Sequence, residues 1–378
     1  MIIKKVAHIA SFKGNIGDIL NHEGFYYSFD DILSNAIIDK YEIRRFYFNA
    51  SDRLYFDSSF AKKLNSYDLI ILGGGGFFDL RWENSNTGTT MDLSIEFIDA
   101  ISKPVLVNAM GYHEYHNRTS KELINKMRAF LSYVNEKDNW FVSVRNDGSY
   151  NRLLKFNPHN ILEVPDNGFL YNTSGEGRRS NLNTIGMCIT IDLFSKEFNG
   201  SITPDVLISK ISLLVNLCCK LGKRIFFFPH IPSDVIVISK IISSVDDEYM
   251  REKVVVAPYS ANEKKDIETM IRYYRMCDVI IGMRFHSIVL SIINSIPCIA
   301  LAGHSQIQDT LDLLGLHDYC IRVCDGFSVE RVIDLVFDET KLLREVDIEK
   351  SIINECKIKN RKYKNEVKSF LSRWFDLD

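Results

Sequence analysis

Arg284 and His286 stand two positions apart within Asp278-Val-Ile-Ile-Gly-Met-Arg-Phe-His-Ser287, joining a permanent cation to a titratable imidazole at the end of an apolar run. A guanidinium grips carboxylate or phosphate as a planar fork, and an imidazole exchanges protons near neutral pH. Together they suit a small anionic substrate that must also be protonated. The apolar run reads as a buried parallel strand, and the stretch 288–296 as a buried helix that follows it. Strand, sharp turn and helix put both side chains at the carboxyl end of a sheet, where open α/β folds bind ligands. In an extended backbone they project to one side, with Phe285 turned away. The helix N-terminus at Ser287 adds free N–H groups and a positive dipole end that attract anions. The competing reading makes the histidine a hydrogen-bonded core residue and the arginine a structural clamp.

Three more segments end an apolar run in polar or glycine residues. The first runs into Ser11-Phe-Lys-Gly-Asn-Ile-Gly-Asp18, where Gly14 and Gly17 permit a tight turn and Asn15 and Asp18 supply polar side chains. Its spacing is neither a dinucleotide fingerprint nor a P-loop. The second ends in Gly73-Gly-Gly-Gly76 before Phe77-Phe-Asp79. Gly74, Gly75 and Gly76 cost chain entropy, which implies close approach of a ligand or of another backbone. The third ends in Ser143-Val-Arg-Asn-Asp147, so Arg145 needs either an anionic ligand or an ion pair with Asp147. His230 and His304 also follow strand-like runs and either touch substrate or fix their loops. His113 and His116, in a predicted loop, lack the His-Glu-x-x-His spacing of a zinc site, so no metal is expected.

Positioning these groups requires a parallel α/β architecture, because short apolar runs alternate with amphipathic stretches along the whole chain. The predicted strands are 3–10, 43–48, 69–72, 105–108, 141–144 and 161–164, then 184–191, 224–228, 254–257, 279–282, 298–301 and 321–323. Between the first strands, residues 120–135 carry Leu123, Met127, Phe130, Leu131 and Val134 at helical spacing. The polar stretch 171–183 reads as an interdomain linker. The expectation is two doubly wound Rossmann-like domains facing a cleft. The first spans 1–172, a linker 173–183, the second 184–345, and a charged helical tail 346–378 completes the chain. Whether that tail packs on the first domain is left open.

A net charge of -3 over 378 residues argues against a nucleic-acid partner. Cys188, Cys218, Cys219, Cys277, Cys298, Cys320, Cys324 and Cys356 show no zinc spacing, and they read as reduced core thiols. No run approaches the roughly 20 apolar residues that span a bilayer, and the charged start Met1-Ile-Ile-Lys-Lys5 does not fit an export signal.

With Gly14-Asn-Ile-Gly-Asp18, Asp68-Leu-Ile-Ile-Leu-Gly-Gly-Gly-Gly76, Ser143-Val-Arg145, Gly282-Met-Arg-Phe-His-Ser287, Pro297-Cys-Ile-Ala300 and Leu314-Gly-Leu-His-Asp-Tyr319 in order, the chain resembles a polysaccharide pyruvyl transferase. The resemblance implies a fold of the GT-B glycosyltransferase type. It also implies transfer of the pyruvyl group of phosphoenolpyruvate to a sugar, usually as a cyclic ketal, in bacterial surface polysaccharides of the exopolysaccharide or capsule kind. By its Arg-x-His element and its mid-chain arginine, Arg284 and His286 would serve donor binding and catalysis, and Arg145 donor binding. The donor side falls to the second domain and the acceptor side to the first. Two arginines can each fork onto phosphate or carboxylate, and His286 is placed as general acid toward the methylene carbon. Asp18 and Asp79 are candidate bases for the sugar hydroxyl. No cofactor is needed beyond phosphoenolpyruvate as substrate.

Two other readings stand beside this one: a nucleotide-sugar-dependent glycosyltransferase on the same fold, and a non-catalytic binder of anionic sugars. A phosphoenolpyruvate donor implies a cytoplasmic protein. It would be peripheral at the inner membrane face if the sugar acceptor is lipid-linked, and the basic run 357–364 is either an anionic-surface contact or a solvated helix face. Oligomeric state is not legible.

Overall fold

A computed structural model describes residues 3–115, 119–156, 160–173, 183–192, 202–323 and 328–376. Their strands form two parallel sheets of six. The first contains β1 (Lys5–Ala10), β2 (Ile37–Glu42), β3 (Leu69–Leu80), β4 (Val105–Glu114), β5 (Trp140–Arg145) and β6 (Ile161–Val164), in the order β2-β1-β3-β4-β5-β6. The second contains β7 (Thr184–Cys188), β8 (Arg224–Phe227), β9 (Val254–Val256), β10 (Val279–Gly282), β11 (Cys298–Ala302) and β12 (Cys320–Arg322), in the order β12-β11-β10-β7-β8-β9. Helices connect the strands, as parallel neighbours require.

In the first sheet, alternation sends Ile70 and Leu72 into one apolar cluster and Leu69 and Ile71 into another. Burial on both faces is why its central strands read as unbroken apolar runs. Helix Lys121–Asn135 follows its predicted pattern, with Ser120 capping the Leu123 N–H and Leu123, Met127, Phe130, Leu131 and Val134 buried. One long helix, Glu339–Leu371, closes the chain. Its Tyr363, Val367, Phe370 and Leu371, with Phe375 beyond it, enter the second of those clusters.

The compact units are discontinuous in sequence. Met1–Phe12, Asn21–Leu170 and Cys356–Asp378 make one, and Lys13–Leu20 with Tyr171–Glu355 make the other. Residues 13–20, expected in the first domain, therefore count with the second sheet, and 356–378 count with the first. Most of the expected linker, 174–182, lies outside the described residues, as do His116 and Cys324. Among the described residues no helix is long and apolar enough to cross a membrane.

Two predicted elements are corrected. The apolar run 43–48 is not the second strand. Ile43–Phe46 is a 3-10 turn that buries Ile43 and Phe46, and the Glu42 carboxylate accepts from the Arg44 N–H. The strand is Ile37–Glu42, at the edge of the sheet, where partial exposure permits polar residues. The four glycines are not a loop either. β3 runs through them to Leu80, with a register shift against β4 between Gly75 and Phe78. Gly73 holds φ +97°, a left-handed conformation that favours glycine.

Candidate functional site

The order of the second sheet reverses between β7 and β10, which pair directly from Val279 with Ile185 to Gly282 with Cys188. The carboxyl ends at such a reversal form the usual ligand crevice of doubly wound folds. Arg284 emerges there, two residues past β10. Its Nε donates to Asp234 Oδ2 at 2.7 Å and its Nη2 to Asp234 Oδ1 at 2.5 Å. Nη2 also lies 2.8 Å from both Thr190 Oγ1 and Asp192 Oδ2. Burial works against the arginine's charge, but the hydrogen bonds and charge of Asp234, then the charge of Asp192, outweigh it and raise its pKa. Asp234 in turn accepts the N–H groups of His230 and Ile231 at the start of helix Pro232–Ile242.

Helix Phe285–Ile293 begins one residue past Arg284, which is itself extended at φ -109° and ψ 141°. His286 therefore lies in the first helical turn rather than in an extended segment, which corrects the expected geometry. Ser287 is buried, and both its N–H and its hydroxyl donate to the Arg284 carbonyl. Those two donors serve the turn itself.

His286 lies against Gly17, part of the glycine-containing segment near the start of the chain. A Cβ at residue 17 would collide with Nδ1, Cγ and Cβ of His286. The adjoining turn is held by its own bonds. Asn15 Oδ1 accepts the Gly17 N–H at 2.8 Å, Gly14 N–H donates to Ala261 O, and Tyr259 Oη donates to Gly14 O. Gly14 sits at φ +76°, and half-buried Asp18 falls in the first turn of helix Ile16–Ser28. Two motifs some 270 residues apart in sequence thus meet in one unit.

His230 is fully buried, with Nε2 2.9 Å from Tyr274 Oη and its carbonyl accepting the Ile16 N–H. Burial first, then the charges of Arg284 and His286, push its pKa well below the ordinary histidine value. It is a neutral ring that fixes this loop. Half-buried His304 precedes helix Ser305–Leu313 in extended conformation.

The first unit gathers a different cluster. Arg145, 4% exposed, ends β5 and pairs with Asp147 at 2.5 Å and Asp166 at 3.4 Å. His113 Nε2 lies 3.4 Å from its Nη2, and a Cβ on Gly111 would strike the guanidinium. Asn21 donates to Asp166 and accepts from Asn167, while the space over Gly74 is taken by the Asn21 side chain. Gly75 is at φ +154°, and Gly76 lies against His113 and Arg145. Expected as a donor ligand, Arg145 here has its guanidinium engaged by carboxylates. His113 lies in β4, not in a loop. Asp79, expected in a loop, is a buried strand residue paired with Arg81. Burial raises its pKa to about 6, against the opposing pull of Arg81.

Sequence reading did not single out Asp192, Asp234, Thr190 or Asp166. Thr190 and Asp192 come from the segment after β7, Asp234 from the start of helix Pro232–Ile242 and Asp166 from the segment after β6. Only the need of a buried cation for counter-charges signalled them, and it does not say where they come from. Among the described residues no His, Cys, Asp and Glu cluster could hold a metal ion.

The family model for polysaccharide pyruvyl transferase matches residues 15–305, well over half of the chain. The chain belongs to the polysaccharide pyruvyl transferase family. The matched span of this family member takes in Asn15, Gly17, Arg145, Asp234, Arg284 and His286. A comparison with curated protein sequences gives no match. Among solved structures, a glycosyltransferase from Rickettsia africae ESF-5 is similar at 12% identity and TM-score 0.55, over 98% of this chain and 99% of that one. A mutant O-GlcNAc transferase from Thermobaculum terrenum is similar at 12% identity and TM-score 0.47, over 99% of this chain and 68% of that one. At such identity the likeness concerns fold alone. The likeness to the Rickettsia africae structure agrees with a GT-B-like pair of Rossmann-like units.

Proposed function

We propose that this family member transfers the pyruvyl group of phosphoenolpyruvate onto a hexose of a surface-polysaccharide precursor, closing a cyclic ketal across two hydroxyls. The observation that carries the reading is the pair Arg284 and His286 at the strand reversal of the second sheet, with the imidazole seated on Gly17. Arg284 takes an anionic group of the donor, and His286 delivers a proton to its methylene carbon. Protonation leaves the neighbouring carbon electron-poor, and a sugar hydroxyl attacks it, forming a C–O bond and losing its proton. The second hydroxyl then forms a C–O bond to the same carbon and gives up its proton as the bond from that carbon to the phosphate oxygen breaks, releasing inorganic phosphate and closing the ring. Guanidinium charge stabilises the departing phosphate.

Asp18, half-buried in the first turn of helix Ile16–Ser28, is a candidate base for the acceptor hydroxyl. The acceptor is free or lipid-linked, and the work is cytoplasmic, where phosphoenolpyruvate is made.

Calorimetric titration of phosphoenolpyruvate into wild type, Arg284→Ala and His286→Ala tests the donor assignment. Saturable binding that Arg284→Ala abolishes and His286→Ala retains is the expected pattern. Binding of a nucleoside diphosphate in place of phosphoenolpyruvate would move the chain to the nucleotide-sugar glycosyltransferases.

A further inference from the structure

Arg284 is not an open cation. One guanidinium faces two carboxylates, Asp234 and Asp192, so an incoming anion meets a cation that is already paired. A donor phosphate or carboxylate joins Arg284 only if one carboxylate yields. The two differ sharply. Asp234 has a fully buried side chain and accepts four hydrogen bonds: from Arg284 Nε, Arg284 Nη2, and the N–H groups of His230 and Ile231. Displacing it would strand buried polar groups on both partners. Asp192 is 31% exposed and is held by Arg284 Nη2 through one oxygen and by Ser233 Oγ, 2.8 Å away, through the other.

We infer that Asp192 is a resident stand-in for the substrate anion. Its carboxylate occupies a position held by Arg284 Nη2 and the Ser233 hydroxyl, and it leaves for solvent when a phosphate or carboxylate group of the ligand enters. Nη2 already lies 2.8 Å from Thr190 Oγ1, and Ser233 is in the first turn of helix Pro232–Ile242. The inference rests on Arg284 being the donor ligand and adds a selectivity device. A monoanion gains nothing over the carboxylate it replaces, whereas a phosphate dianion does. Asp192 thereby weakens binding of every anion and excludes the weak ones, and Arg284 stays compensated between turnovers.

The test is calorimetry at constant ionic strength with two probes, inorganic phosphate and phosphoenolpyruvate, on wild type, Asp192→Asn, Asp192→Ser and Arg284→Ala. Thermal unfolding checks that each variant is folded. Removing the resident charge is expected to tighten phosphate binding on the order of fivefold in both Asp192 variants, as for release of a partly exposed ion pair, and Arg284→Ala to abolish it. Equal or weaker phosphate binding in both Asp192 variants, or none in any protein, overturns the inference. Phosphate bound more tightly while phosphoenolpyruvate is bound by no variant keeps the stand-in and removes the donor assignment. Phosphoenolpyruvate lost only in Arg284→Ala, with the Asp192 variants no tighter for either probe, keeps the donor assignment and overturns the stand-in.

Discussion

His286 holds its place partly because residue 17 lacks a side chain, which makes Gly17→Ala an informative small change in the second unit. The added methyl has to push the imidazole aside. Displacing a proton donor by about an ångström costs on the order of 10²-fold in rate, so turnover should fall by that much while phosphoenolpyruvate binding through Arg284 persists. Steady-state kinetics beside calorimetry checks this, and a loss of binding with turnover per bound donor unchanged would remove His286 from the proton-transfer step. His286→Gln should cost roughly 10²–10⁴-fold in rate, with the donor still bound. Behind them, His230→Phe deletes a neutral ring rather than a charge. Its effect should register as a lower unfolding temperature through the lost Tyr274 bond, not as an altered pH–rate profile.

Among the elements, the closing helix Glu339–Leu371 carries a buried carboxylate pair, Glu345 and Glu349. Glu345 accepts the N–H of Cys298 at the start of β11, while among the described residues neither oxygen of Glu349 has a hydrogen-bond partner. Burial first, then the charge of Glu345, raises the Glu349 pKa well above the ordinary glutamate value. A carboxyl whose folded pKa is raised contributes stability that is full below its unfolded value and is lost as pH rises through the folded one. Glu349→Gln should therefore raise the unfolding temperature at pH 8 and change it little at pH 5. An equal shift at both, or a drop at pH 8, would contradict this. β5, packed on both faces, and helix Lys121–Asn135, buried along one, were legible because burial writes itself into apolar spacing. β2 was not, since an edge strand needs fewer apolar residues and the stronger run beside it folds as a 3-10 turn. The site was half legible for a related reason. Arg284, His286 and Gly17 advertise themselves by strand-end position, whereas Asp192 and Asp234 join the arginine only through the fold.

On the scale of the whole molecule, neither compact unit is a continuous piece of chain, and the first is completed by residues 356–378. Tyr363 ties that segment to the first sheet, its hydroxyl 2.9 Å from Asn108 Oδ1 and 3.1 Å from Ser143 Oγ, with Phe370 buried nearby. Phe370→Ala should cost about 3–5 kcal/mol by leaving a cavity, and Tyr363→Phe about 1 kcal/mol by losing its hydrogen bonds, both read from denaturant unfolding. A Phe370→Ala cost below that of Tyr363→Phe would mean the segment is not part of this core. The chemistry itself is tested most directly by incubating the full chain with phosphoenolpyruvate and a panel of hexose glycosides, following inorganic phosphate and the sugar's NMR spectrum together. Pyruvyl transfer requires phosphate release that depends on acceptor, matched by a new ketal carbon, and abolished in Arg284→Ala and His286→Gln. Turnover of a nucleotide sugar by the same preparation, with phosphoenolpyruvate left intact across the panel, would contradict it.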